Sequence, residues 1–294
     1  MNAIGIDLGG TRIKAVAIDR DGKILHHHYS ETHDDGDGMF WKKAVANAID
    51  EISLTSGIDN VSIGLSAPGI PDEANKHIAF MPGRMQGLEK FEWGHYLNKE
   101  VHVINDAVAA LMAEVKSGVC QNTQNVIMLT LGTGVGGAIL INGKPYQGSF
   151  NKAGHFGHMV IDHLGEPDIT GIPGSLEDCI GNCTIEKRTN GKFSSTHDLI
   201  EAAENGNAWA KEIWLRSVRQ LAIGISSLTN ILSPEMVVIG GGIAAAGDAL
   251  FQPLEKFMEQ YEWRTAGNKV KIMKAAHQDL SGAIGAAAFA MQKG

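Results

Sequence analysis

Leu131-Gly132-Thr133-Gly134-Val135-Gly136-Gly137 separates two apolar runs, 125–131 (NVIMLTL) and 135–141 (VGGAILI), and places four glycines in six positions. The run after the glycines has strand character. The segment is therefore a glycine-rich hairpin, not the strand-to-helix G-x-G-x-x-G turn of a dinucleotide fold. Such a hairpin offers backbone amides and the Thr133 hydroxyl to phosphate oxygens. A structural bulge accounts for two glycines but poorly for four.

Working outward, two further glycine clusters each follow an apolar run. Residues 3–8, 12–18 and 23–29 read as an antiparallel meander with turns at Gly9-Gly10 and Arg20-Asp21-Gly22. In the first turn, Asp7-Leu-Gly9-Gly10-Thr11-Arg-Ile-Lys14 sets a carboxylate at a strand end with amides and a hydroxyl beyond it. That arrangement suits phosphate oxygens and a magnesium ion held by Asp7, often through water, and equally an ordinary hairpin turn. The third cluster, Val237-Val238-Ile239-Gly240-Gly241-Gly242-Ile243, is a buried strand breaking into a helix N-terminus. Three ligand turns spread over two lobes argue for a nucleotide held in the cleft between them.

The remaining pattern is α/β. A helix is expected over 38–56, a strand over 61–66 leading into Ala67-Pro68-Gly69, a strand over 101–105, and a helix opening at Asp106. Later come helices over 207–231, 243–262 and 281–291, with strands over 235–240 and 270–275. The first hairpin and the 125–141 hairpin form a weak internal repeat. The organisation expected is a small lobe, 1–115, with the last helix (281–294) packing back on it, and a large lobe, 116–280.

Bulk properties remove other classes. The chain has 294 residues, 33 acidic against 25 basic, a formal charge of -8 and no Lys/Arg cluster, which argues against nucleic-acid and anionic-membrane partners. Three cysteines, Cys120, Cys179 and Cys183, are too few for a disulfide framework. The opening MNAIGIDLGG lacks a secretory pattern, so a cytoplasmic location is expected.

Asn105-Asp106 sits where a strand gives way to a helix. Asp there is either a helix N-cap or a base accepting the proton of an attacking hydroxyl.

Taken in order, the motifs resemble the ROK family of sugar kinases and sugar-responsive repressors over essentially the whole chain. The D-x-G-G-T motif matches Asp7 to Thr11, the P-G segment Pro68-Gly69, the N-D step Asn105-Asp106 and L-G-T-G-x-G-G residues 131–137; the sugar motif ends at His158, G-x-x-G-C-L-E maps to Gly171 through Glu177, and the late glycines are Gly240, Gly241 and Gly242. The resemblance implies a two-lobed, actin-like (ribonuclease H-like) ATPase fold with nucleotide and sugar in the interlobe cleft. It implies an ATP- and magnesium-dependent kinase acting on a hexose or hexose derivative, at O6, with Asp106 as base. Asn105, His158 and Glu177 would bind sugar hydroxyls alongside the Pro68-Gly69 segment. Gly9, Gly10, Thr11, Lys14, Gly132, Thr133, Gly134, Gly240, Gly241 and Gly242 would bind ATP. A homodimer is implied.

The alternatives are a non-catalytic sugar sensor or regulator, against which the intact Asp106 and loops argue, and a polyphosphate-using glucokinase. A DNA-binding repressor is not expected, because residue 4 already lies in the first strand and leaves no room for a preceding helix-turn-helix.

Three departures from the family pattern matter. Zinc-bearing members use the sugar-motif His with three cysteines; here those positions are Asp168, Thr170 and Ser175, so zinc is not expected. The family's sugar-motif acid is His155, and Arg84 aligns with its usual Asn. Two potential cations in place of an acceptor and an amide point to a modified or acidic hexose.

Overall fold

The computed structural model describes residues 2–33, 38–58, 61–81 and 85–293, so Arg84 lies outside the described residues. The chain divides into two compact units. One comprises Met1–Thr123, Pro145–Ala153 and Ala275–Gly294; the other comprises Gln124–Lys144 and Gly154–Lys274.

In the first unit the expected meander is β1 (Ala3–Leu8), β2 (Arg12–Ile18) and β3 (Ile24–Glu31), followed by α1 (Met39–Ser56) and β4 (Ile63–Ala67). Two short strands, β5 (Ile70–Pro71) and β6 (Ile78–Phe80), and a one-turn helix, α2 (Trp93–Leu97), precede β7 (Val101–Asn105) and α3 (Asp106–Ser117). The five long strands lie in the order β3-β2-β1-β4-β7. β1 pairs antiparallel with β2, while β4 and β7 add in parallel.

Both faces of this sheet are covered, which is why β1 is nearly continuously apolar. Trp41, Val45, Ile49 and Ile52 of α1 pack with Ile4, Ile6, Ile13, Ile63 and Leu65. On the other face Ala3, Val16 and Ile18 meet Ile284, Ala287 and Ala288 of the last helix, Ser281–Lys293.

The second unit repeats the scheme. β8 (Val126–Leu131), β9 (Val135–Ile141) and β10 (Lys144–Pro145) are followed by α4 (Leu176–Ile180), α5 (Ile185–Arg188), α6 (Thr196–Glu204), α7 (Ala208–Leu232), β11 (Met236–Gly240), α8 (Asp248–Tyr261) and β12 (Lys271–Lys274), and Ser281–Lys293 is α9. The sheet order is β10-β9-β8-β11-β12, three consecutive strands and then two later ones, as in the first unit. The repeat that was weak in sequence is plain in topology. Helix α7 buries Trp214, Val218, Leu221 and Ile225 at helical spacing and starts at Asn207, whose side chain accepts from Ala210 N at 3.1 Å.

One expected helix is broken. Residues 242–246 form a 3-10 turn and α8 begins only at Asp248, because Gly247 adopts φ 55°, ψ -126°. Among the described residues no helix is long and apolar enough to cross a membrane.

Helix α9 (SGAIGAAAFAMQK) is built for close approach rather than side-chain interdigitation. A Cβ added at Gly5 of β1 would land on the carbonyl of Ala283, and one at Gly64 of β4 on that of Ala286. From the helix side, a Cβ at Gly285 would land on the carbonyl of Ala109 in α3. Ordinarily Gly→Ala inside a helix stabilises by up to about 1 kcal/mol. Here the sign reverses: Gly285→Ala is expected to lower unfolding free energy by roughly 2 kcal/mol or more in urea titrations, and an unchanged midpoint would contradict this packing.

Candidate active site

In the first unit the candidate residues gather by register. Asp7 of β1 lies opposite Lys14 in β2 and Ser66 in β4, and Ala67 lies opposite Asn105 in β7. The carboxyl ends of three parallel strands therefore present Asp7, the Pro68-Gly69 turn and Asn105-Asp106 along one sheet edge, where ligands bind in open α/β sheets. The Asp7 carboxylate accepts from Ser66 Oγ at 3.0 Å and faces Lys14 Nζ at 3.4 Å. Lys14 also reaches Asp279 at 3.0 Å. A Cβ on Gly282, in the first turn of α9, would collide with the Asp7 carboxyl. Burial raises the pKa of Asp7, and Lys14 and Ser66 only partly offset it.

The turn beyond Asp7 is tied down from β3. Buried Thr32 donates its hydroxyl to Gly9 O at 2.6 Å and its N–H to Thr11 O at 3.0 Å, leaving Gly10 and Thr11 exposed.

Asn105, not Asp106, caps α3. Its Oδ1 accepts from Ala107 N at 2.9 Å and Val108 N at 3.4 Å, while Nδ2 donates to Gly69 O at 3.0 Å. Buried Asn105 thus joins the β7–α3 corner to the Pro68-Gly69 turn. Asp106 is the first helical residue, accepts from Ala107 N at 2.8 Å and keeps contact with solvent. Desolvation by the surrounding protein and the negative charge of Asp7 push its carboxyl up to about 6, despite the favourable helix N-terminus.

In the second unit two glycine turns stand side by side, since β8 and β11 are parallel and Gly240 pairs with Thr130. Gly241, at φ 83°, lies directly on the Leu131 backbone, so the fold itself requires glycine there. Gly132 and Gly242 differ: neither has a positive φ, and a Cβ at either would meet nothing within 4 Å among the described residues. Their missing side chains leave open space at the strand ends. Thr133 is exposed, and its carbonyl accepts from Cys183 N at 2.8 Å.

Glu177 braces this loop. Ser175 caps α4 by accepting from Asp178 N at 3.3 Å, and the Glu177 carboxylate accepts from Val135 N at 2.9 Å. A Cβ on Gly134 would strike that carboxylate. His155 precedes and His158 ends a 3-10 turn, Phe156–His158, and both are half-buried. Gly157 of that turn lies against the Val135 carbonyl, and Leu176 N donates to Met159 O at 2.8 Å, so the turn, α4 and the loop form one body. His158 Nδ1 faces Asp168 Oδ2 at 3.4 Å.

Sequence reasoning missed several supporting residues. Ser66 and Asp279 join the Asp7 cluster through strand register and helix placement, which no local motif signals. Arg188 was also missed: it donates to the carbonyls of Gly181 and Ile180 at 2.8 and 3.3 Å and to Ser217 Oγ at 2.8 Å, and burial lowers its pKa to about 10.

The family model described as "ROK family" matches residues 3–293. The chain is similar to a glucokinase of Halalkalibacterium halodurans, 30% identical with 96% of this chain and 92% of the relative covered. It is similar in structure to the ROK hexokinase of Thermus thermophilus, at TM-score 0.87 and 26% identity over 100% of this chain and 99% of the other. A ROK family glucokinase from Streptomyces griseus, solved with glucose and AMPPNP, matches at TM-score 0.81 and 26% identity over 99% and 100%.

The raised Asp106 pKa carries a stability consequence. Between the usual carboxyl value of about 3.9 and about 6, the folded chain holds more protons at this site than the unfolded chain, so the contribution of Asp106 to stability falls as pH rises through that window. Asp106→Asn removes the disfavoured charge. The variant is expected to melt above the wild type at pH 8, with the difference shrinking toward pH 4; a variant that melts lower at pH 8 would contradict the assignment.

Proposed function

The chain belongs to the ROK family and is a carbohydrate kinase, and we propose that it transfers the γ-phosphoryl group of ATP to O6 of a hexose or hexose derivative with Asp106 as the base. The observation that carries the reading is the state of Asp106. Because Asn105 supplies the cap of α3, the Asp106 carboxylate is not needed to start the helix. Its pKa of about 6 suits a group that is ionised at neutral pH yet basic enough to accept a proton.

In this reading Asp106 takes the proton of the sugar hydroxyl as its oxygen bonds to the γ-phosphorus, and the bond to the β-γ bridging oxygen breaks to release ADP. Positioning and charge stabilisation do most of the work in such a reaction. The exposed Gly10-Thr11 turn supplies amides and a hydroxyl from the first unit. The open space at Gly132 and Gly242 fits phosphate oxygens or nucleotide approaching backbone at strand ends, a cradle that a Cβ would fill. His158 and Glu177 serve as sugar ligands, with Asn105 holding the Gly69 carbonyl in place.

The donor set also fits magnesium. Asp7 offers carboxylate oxygens whose ionisation is disfavoured by burial, so a cation would relieve it. Asp7 would hold the ion, and when bound it neutralises charge on the phosphate oxygens.

Asp106→Asn is expected to lower kcat by roughly 10²-fold or more while sugar and ATP still bind, and the wild-type rate is expected to fall as pH drops below about 6. Near-normal turnover in the variant, measured in a coupled ADP-release assay, would reduce Asp106 to a structural residue. Gly132→Ala separates ligand space from folding: it is expected to leave the melting temperature unchanged and to raise the ATP KM roughly tenfold or more, since no atom of the described residues lies within 4 Å of the new methyl group. An unaltered KM would show that nucleotide does not approach this loop.

A further inference from the structure

The side chain of Asp168 is wholly shielded from solvent, and its two oxygens are used differently. Oδ1 accepts from Thr170 N at 2.8 Å, Thr170 Oγ1 at 2.7 Å and Ile172 N at 3.0 Å. Oδ2 faces His158 Nδ1 at 3.4 Å, a long hydrogen bond. Burial alone would raise the pKa of Asp168, but hydrogen bonds from Thr170, Ser175 and Ile172 outweigh it and hold the carboxyl well below the usual range. An ionised carboxylate only accepts, so the hydrogen between the two side chains belongs to Nδ1. A neutral imidazole carries one N–H, and Nε2 is left with a lone pair.

We propose that Asp168 is a positioning residue that fixes His158 in the Nδ1–H form, so that Nε2 presents an acceptor to a substrate hydroxyl. The inference rests on the reading of His158 as a sugar ligand. It sets a specificity rule: the group met by His158 must donate a hydrogen bond, and an acceptor-only group there is rejected. The His158 side chain is 35% exposed, which leaves it an open edge for that contact.

A zinc ion on Nδ1 would give the opposite polarity by leaving Nε2–H as a donor. The residues present do not fit zinc. Thr170 and Ser175 offer hydroxyls, and three donors already occupy Asp168 Oδ1. Cys179 is a buried thiol pushed up to about 11, chiefly by that burial. A hydrogen-bonded clasp centred on Asp168 stands where zinc-bearing relatives place the metal.

Asp168→Asn provides a near-isosteric test. The three donors at Oδ1 require the amide oxygen, which turns the amide NH₂ toward His158, makes Nδ1 the acceptor and moves the ring hydrogen to Nε2. Long-range ¹H–¹⁵N spectra of the full chain labelled at histidine, at pH 8 and with His158→Gln for assignment, are expected to show the Nδ1–H form in wild type and the Nε2–H form in Asp168→Asn. The Nε2–H form in wild type, or the same form in both proteins, would overturn the proposal. In parallel, with D-glucose as acceptor, Asp168→Asn is expected to raise the sugar KM roughly tenfold and leave the ATP KM within about twofold. Among deoxy and deoxyfluoro glucoses, fluorine in place of the hydroxyl facing His158 should cost wild type as much as hydrogen does, and should be partly tolerated by the variant. An unchanged sugar KM beside a switched ring would overturn the role in binding. The spectra need no turnover, so a failed kinase reading and a failed His158–Asp168 pair are separately visible. Elemental analysis is expected to find no stoichiometric zinc, and zinc lost together with stability on chelation would refute the clasp.

Discussion

Backbone lies on backbone where α9 meets β1, β4 and α3, and the absence of side chains at Gly5, Gly64 and Gly285 is what permits it. Any Cβ at these positions would occupy the site of a carbonyl oxygen. The close seating has a local consequence for chemistry. It brings Gly282 against the Asp7 carboxyl and carries Asp279 to Lys14, so the charge balance around Asp7 is set by a helix more than 270 residues away in sequence. Asp7 is thereby desolvated but incompletely neutralised, and its residual charge is one of the two main reasons that Asp106 holds its proton so tightly. A packing constraint in the core and an electrostatic property at the sheet edge are one arrangement.

The second unit achieves rigidity by other means. Its glycine loop is bonded along its length to α4 and the segment that follows it: Asn182 N donates to Gly132 O at 3.0 Å, Cys183 N to Thr133 O at 2.8 Å, and Val135 N to the Glu177 carboxylate. Arg188 in turn holds the carbonyls at the end of α4. Loops of this kind lose conformational freedom only if their polar backbone groups find fixed partners. Here the outward carbonyls of Gly132 and Thr133 are satisfied by protein, while the side of the loop at Gly132 and Gly242 stays open.

The glycine clusters, strand ends and helix starts were legible because each is a local matter of turn conformation and side-chain period. What escaped was non-local. Ser66 becomes a partner of Asp7 only through the parallel register of β1 and β4, and Asp279 only through the return of α9. The sequence left Asp106 open between a cap and a base: Asn and Asp are nearly equal as caps, and only the extended backbone of Asn105, at φ -66° and ψ 149°, gives the cap of α3 to Asn105. The break before α8 depends on the left-handed Gly247 inside an alanine-rich stretch that otherwise favours helix. Within the candidate site, residue identities could be read, but not which of their atoms the protein itself consumes.

That distinction bears most on the 158–175 segment. Losing three cysteines looks, in sequence, like the loss of a structural centre. The fold instead retains a centre of different chemistry, with Asp168 closing its own turn through Ile172 O and Gly171 N and gathering Thr170, Ser175 and His158 around one carboxylate. A metal and a carboxylate can both immobilise a loop, yet they act oppositely on an attached imidazole: the cation takes the lone pair of Nδ1, whereas the anion takes its hydrogen. Exchanging a metal for a carboxylate at such a centre therefore reverses the hydrogen-bonding sense of the histidine it holds. Specificity can change in this way without any residue touching the substrate having been replaced.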